Sequence, residues 1–121
     1  LKESEFVSLN CPLNGSTKHM INQDSLGLMK KSAFIVNTGR GGLIDEKALI
    51  KALQEGTIAG AGLDVQESEP PAQDNALYDM PNVILTPHMG WKGLETRQRL
   101  VSIIADDVKG FFAGKPVNVV S

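Results

Sequence analysis

The sequence predicts an α/β fold: a parallel sheet whose strands are joined by helical crossovers. Three observations predict it. Short apolar runs, above all Ala33-Phe-Ile-Val-Asn37, are continuous rather than alternating, which fits strands buried on both faces of a parallel sheet. Between them, apolar residues recur at helical spacing, as at Ala48, Leu49, Ala52 and Leu53. Turn-forming residues such as Gly39, Gly41 and Gly42 separate the two patterns. Strands alternating with helices require crossovers, and crossovers make parallel neighbours.

The elements follow in order. Glu5 to Asn10 reads as a strand ended by Pro12, and Asn14-Gly-Ser-Thr17 as a turn. Asn22 to Met29 reads as a short helix with Leu26 and Met29 on one face. Ala33 to Asn37 is the second strand. Asp45 is a suitable N-cap for the next helix, and Gly56 a suitable stop. Ile58 to Asp64 is a third strand, whose small residues suggest a closely packed helix. Glu69-Pro-Pro71 starts a loop, Ala76 to Tyr78 suits one turn, and Asn82 to Thr86 is a fourth strand. Gly93 to Phe112 is the longest helix, with Leu100, Ile104, Val108 and Phe111 in one stripe joined by Val101 and Phe112. Val117 to Val120 is expected as an extended apolar tail.

Composition narrows the function classes. The chain has 121 residues and a formal net charge of −2, with no basic footprint for nucleic acid or an anionic membrane. No apolar run approaches the roughly 20 residues that span a bilayer, and nothing at the start reads as a targeting peptide. The single cysteine, Cys11, leaves no intramolecular disulfide and fits a reducing cytoplasm. His19 and His88 are far apart and no Cys/His pair has ligand spacing, so no metal site is expected. The chain opens at Leu1-Lys-Glu-Ser without a Met and enters a strand at once, as the interior of a longer protein would.

Three residues carry the chemistry. Arg40, Glu69 and His88 each follow an apolar run, so all three are expected where open α/β sheets bind ligands, past the carboxyl ends of the strands. An arginine grips a carboxylate with two parallel donors. A histidine exchanges protons near neutral pH. A carboxylate beside it favours the imidazolium. Each residue alone reads better as an ordinary surface or structural side chain; taken jointly, their matching positions favour function. On spacing, Glu67 competes with Glu69. Asp64 either meets a ligand amide or caps a turn, and Trp91 either lines a pocket or packs on the last helix. Cys11 has no cationic neighbour in sequence and is not read as a nucleophile. Gly60-Ala-Gly62 lies inside a strand and reads as close packing, since no Gly-x-Gly-x-x-Gly is present.

The segments Phe34 to Gly42, Gly62 to Pro70 and Thr86 to Trp91 strongly resemble the D-isomer-specific 2-hydroxyacid dehydrogenases, as do Val7 to Leu13 and Asp45 to Leu49. The resemblance covers essentially the whole chain. Trp91, Thr96 to Leu100 and Gly114 to Val119 look most like the glycerate dehydrogenase (hydroxypyruvate reductase) members. It implies the C-terminal half of a Rossmann-type doubly wound parallel sheet with a long C-terminal helix. Residues 1–91 would be the end of an NAD(P)-binding domain, and 92–121 a helix and tail returning to a substrate domain. Arg40 would bind the substrate carboxylate and keto oxygen, His88 would be the general acid–base, and Glu69 would orient it. Asp64 would meet the nicotinamide carboxamide; Cys11, Pro12, Thr38, Gly39, Gly90 and Trp91 would lie along NAD or NADP, as would Arg40 and His88. The implied reaction is hydride transfer between NAD(P)H and a small 2-keto acid, with hydroxypyruvate and D-glycerate as the preferred pair. The alternative is a dinucleotide-sensing corepressor relative. The phosphate loop, the ribose-reading residue and the substrate domain do not occur in the sequence, so catalysis is expected of the parent protein, as a homodimer, and not of these residues alone.

Overall fold

Four short strands form one parallel sheet in chain order: β1 (Phe6–Leu9), β2 (Phe34–Asn37), β3 (Gly60–Leu63) and β4 (Val83–Leu85). The computed structural model describes residues 1–120, leaving Ser121 of the expected tail outside the described residues. The described residues divide into two units, Leu1–His88 and the segment from Met89 onward. The sheet lies wholly in the first, with helices α1 (Gln23–Gly27) and α2 (Glu46–Gln54). The second holds α3 (Leu94–Phe112) and the tail.

Register places the site. Leu9 pairs with Asn37, Asn37 with Leu63, and Leu63 with Leu85. The four strands therefore end level, and every loop that follows them leaves from one edge.

The helices begin where local chemistry starts them. The Asn22 side chain accepts from the Asp24 and Ser25 amides, and Ser25 returns a bond to the Asn22 backbone, a reciprocal cap. Asp45 caps α2 by accepting from the Ala48 amide at 3.1 Å, worth about 1 kcal/mol. Leu49, Ala52 and Leu53 of α2 are buried, with Leu26 and Met29 from the α1 region, against Ile35, Ala61 and Leu63 of the sheet. Each fully buried Leu or Ile contributes about 1.5–3 kcal/mol.

One expectation is corrected. β2 is covered on one face only: Ile35 and Asn37 are buried, while Phe34 is 39% exposed. On that open face Phe6 is 71% and Ile84 73% exposed, and Phe6 stacks on its register partner Phe34 at 5.6 Å. Successive right-handed crossovers running in one direction put their helices on the same side. A second correction concerns Gly60. A Cβ there would lie 2.7 Å from the Phe34 ring and 2.6 Å from the Asn82 carbonyl. It makes room for an aromatic side chain and a neighbouring strand, not for a helix.

In the second unit, α3 carries its apolar stripe fully in the open: Leu100 is 54%, Val108 49%, Phe111 70% and Phe112 83% exposed. The tail is not a plain extended strand. Asn118 adopts φ 52°, and its side chain donates to Asp107 on α3 at 2.8 Å, turning the chain back along the helix.

Candidate active site

The edge after β2 is shaped by a buried amide. Asn37 is fully buried. Its side-chain oxygen accepts from the Gly39 amide at 3.1 Å, and its nitrogen donates to the Arg40 carbonyl at 3.0 Å. This closed turn, a local use of Asn, leaves Arg40 exposed, with its Nη1 donating to the Gly39 carbonyl at 2.8 Å.

The edge after β3 carries the acids. Asp64 is buried, its amide donates to the Asn37 carbonyl at 2.9 Å, and its carboxylate accepts from the Thr86 hydroxyl. Further along, the Gln66 amide donates to Glu69 Oε1 at 3.2 Å.

The edge after β4 delivers the histidine. The Thr86 amide donates to the Leu63 carbonyl, and the His88 amide reaches back over Pro87 to the Thr86 carbonyl at 3.0 Å. This tight turn holds His88 at φ 49°, a left-handed conformation that costs about 1–2 kcal/mol for a residue with a Cβ. The turn sends the ring toward Glu69, and Nδ1 lies 2.7 Å from Glu69 Oε2. That hydrogen bond is the main cause holding the Glu69 carboxyl below its ordinary range; the Gln66 amide and the charges of His88 and Arg40 act in the same direction, against burial. Glu69 is therefore ionised at neutral pH and can only accept. The shared proton sits on His88 Nδ1, which leaves Nε2 for exchange with a ligand.

The structure sorts the other sequence candidates. Asp64, Glu69 and His88 line one cleft of about 320 Å³, together with Gln66, Pro71 and Tyr78. Cys11, Pro12, Thr38, Gly39 and Arg40 line a second, wider one of about 660 Å³. The Cys11 thiol lies 3.7 Å from the Met20 sulfur. Glu67 is turned to His19 at 2.7 Å, so Glu69, not Glu67, meets His88. Gly90 and Trp91 belong to the second unit, where Lys92 and Arg97 each lie 6.0 Å from the Trp91 ring centroid. Sequence reasoning missed Asn37, Gln66 and Thr86. Asn37 did carry a signal, an Asn directly before a Gly-rich turn. Thr86 carried none, because its partner Asp64 is distant in sequence, and Gln66 carried none, because it holds Glu69 through a backbone amide that any residue but proline supplies.

Residues 1–90 match the model of the D-isomer specific 2-hydroxyacid dehydrogenase, NAD binding domain, and the chain belongs to that family. It is 49% identical over 122 residues to the glycerate dehydrogenase of Methylorubrum extorquens, covering 99% of this chain and 39% of that protein. It is 48% identical over 122 residues to the glyoxylate reductase of Korarchaeum cryptofilum, covering 100% of this chain and 37% of that protein. Its fold matches the NAD-complexed form of the D-isomer specific 2-hydroxyacid dehydrogenase from Lactobacillus delbrueckii ssp. bulgaricus with a TM-score of 0.90 and 38% identity, over 100% of this chain and 41% of that one. The sheet is thus Rossmann-type, as expected. The chain spans under two fifths of the length of both curated relatives, at 39% and 37%.

Proposed function

We propose that the chain works within an NAD(P)-dependent D-2-hydroxyacid dehydrogenase acting on a small 2-keto or 2-hydroxy acid. The observation that carries this reading is the Glu69–His88 pair, 2.7 Å apart on the same sheet edge as Arg40. Hydroxypyruvate and D-glycerate are the preferred substrate pair, supported by the similarity to a glycerate dehydrogenase.

The donor set fits a dinucleotide. The cleft past β1 and β2 presents Cys11, Pro12, Thr38 and Gly39, and Arg40 stands at its rim. Asp64, buried at the edge beside Thr86, supplies a carboxylate acceptor suited to a carboxamide N–H. Gly90 and Trp91 are proposed as cofactor residues on the family resemblance alone. A bound nicotinamide supplies the hydride.

The protein's own residues do the rest. Arg40 holds the substrate carboxylate and faces the keto oxygen, where negative charge develops during reduction. His88 donates the Nε2 proton to that oxygen and takes it back in the oxidative direction. Glu69 keeps the ring in one tautomer and balances its charge when protonated. Residence in the cytoplasm is supported by the free thiol of Cys11, and pairing of two copies by the family resemblance. No helix among the described residues is long and apolar enough to cross a membrane.

The test is oxidation of NADH and NADPH by the intact protein with hydroxypyruvate, glyoxylate and pyruvate. Saturable turnover, fastest with hydroxypyruvate, is expected. Tight cofactor binding without turnover on any 2-keto acid overturns the enzyme reading in favour of a dinucleotide-sensing protein.

A further inference from the structure

A second polar cluster lies behind Glu69. His19 Nε2 is 2.7 Å from Glu67 Oε1. Glu67 Oε2 accepts from the Glu46 amide at 3.3 Å, and Glu46 Oε2 accepts from the Glu67 amide at 3.1 Å. Glu46 Oε1 accepts from Asn75 at 2.8 Å, and the same Asn75 nitrogen reaches Gln66 Oε1 at 3.2 Å. All four oxygens of the two carboxylates are thus engaged by protein groups, an arrangement suited to holding backbone in place and not to gripping a ligand.

The cluster ties together three loops of the functional edge. The His19 amide donates to the Gly42 carbonyl at 2.9 Å, fastening the loop after β1 to the turn that carries Arg40. That turn in turn presses on the third loop. A Cβ on Gly41 would lie 1.8 Å from the Gln66 carbonyl oxygen and 2.5 Å from the Glu67 amide nitrogen. Gln66 is the residue whose amide holds Glu69 Oε1. The line of contacts therefore runs from His19 through Glu67 and Glu46 to the Glu67 amide, one peptide from Gln66, and from the Gln66 amide to Glu69 and His88.

We propose that His19, Glu67 and Glu46 are positioning residues, a brace that fixes the turn from Gln66 to Glu69 so that the Glu69 carboxylate meets His88. None of the three lines the His88 cleft; they act by holding the Glu67 backbone, and through it the adjoining Gln66, whose amide meets Glu69. The catalytic consequence rests on the dehydrogenase reading above, but the geometric claim does not.

The test uses the intact protein and two readouts. One is the Glu69 carboxyl titration followed by carbon-13 NMR. The other is kcat and KM with NADH and hydroxypyruvate. In E67A the Glu69 titration is expected to move up toward the ordinary carboxylate range, because the Gln66 amide and His88 are no longer aimed at it. The kcat is expected to fall by up to about 100-fold, as small misplacements do, with KM for NADH little changed. E67Q keeps the length and a carbonyl acceptor, and is expected to restore most of both. A merely structural role would not move the Glu69 titration in a folded variant. Should E67A fail to fold, H19A removes one arm of the same brace and is expected to shift the titration in the same direction. Glu69 titrating as in wild type in the folded variant overturns the brace. A wild-type protein without turnover on any 2-keto acid overturns the dehydrogenase reading instead, and the titration still decides the brace.

Discussion

Glu69 Oε2 and His88 Nδ1 meet at 2.7 Å although nineteen residues separate them in the chain. Two turns built by different means produce the meeting. The Gln66 amide aims the carboxylate, and the left-handed backbone of His88 aims the ring. Neither side chain is deeply buried, at 38% and 41% exposed, so the pairing rests on these local geometries and not on surrounding core.

The Glu69 carboxyl should leave a signature in stability against pH. Its folded pKa lies below the ordinary value, chiefly because His88 donates to it. A depressed carboxyl pKa stabilises the fold above the unfolded value of about 4.3 and loses that contribution as pH falls through the folded value. Urea midpoints of wild type and E69Q should differ by a constant amount from about pH 5 to 6, and the difference should shrink below about pH 4. A difference that grows on acidification contradicts the assignment.

Arg40 offers a planar fork that lysine does not. The R40K variant should therefore lose less in cofactor affinity than in kcat/KM for the 2-keto acid, which falls by about 10- to 100-fold, the loss of one charge-assisted hydrogen bond. Steady-state kinetics against hydroxypyruvate, with NADH affinity from fluorescence, checks both halves. An equal loss in NADH affinity would place Arg40 on the cofactor alone.

Leu49 is 1% exposed at the centre of the α2 face. L49A removes its contacts with the sheet and leaves a cavity, which should cost about 2–5 kcal/mol. Urea denaturation of the variant against wild type measures it. A cost below about 1 kcal/mol would mean that α2 is not the helix that closes this core.

Much of the frame was legible in the sequence because it is local. The stripe Leu49, Ala52 and Leu53, the Asp45 cap and the continuous run before Asn37 each state their structure within a few residues. The site was partly legible for a related reason: residues directly past strand ends reach one edge once the register is level. Choosing Glu69 over Glu67 needed the family resemblance in sequence, since spacing left both open; in the structure the hydrogen bonds separate them. What the sequence could not display is pairing across distance. The brace through His19 and Glu67 spans 48 residues, and no periodicity marks it. The one-sided cover of β2 was missed because an apolar run records what a strand can bury, not which neighbours are at hand.

In the proposed reaction His88, held by Glu69, moves the proton. Turnover of NADH with hydroxypyruvate by the intact protein, wild type against H88A, tests it most directly. A general acid–base role predicts a loss of roughly 10²–10⁴-fold in kcat, with NADH binding retained. Turnover unchanged in H88A would remove His88 from the proton transfer.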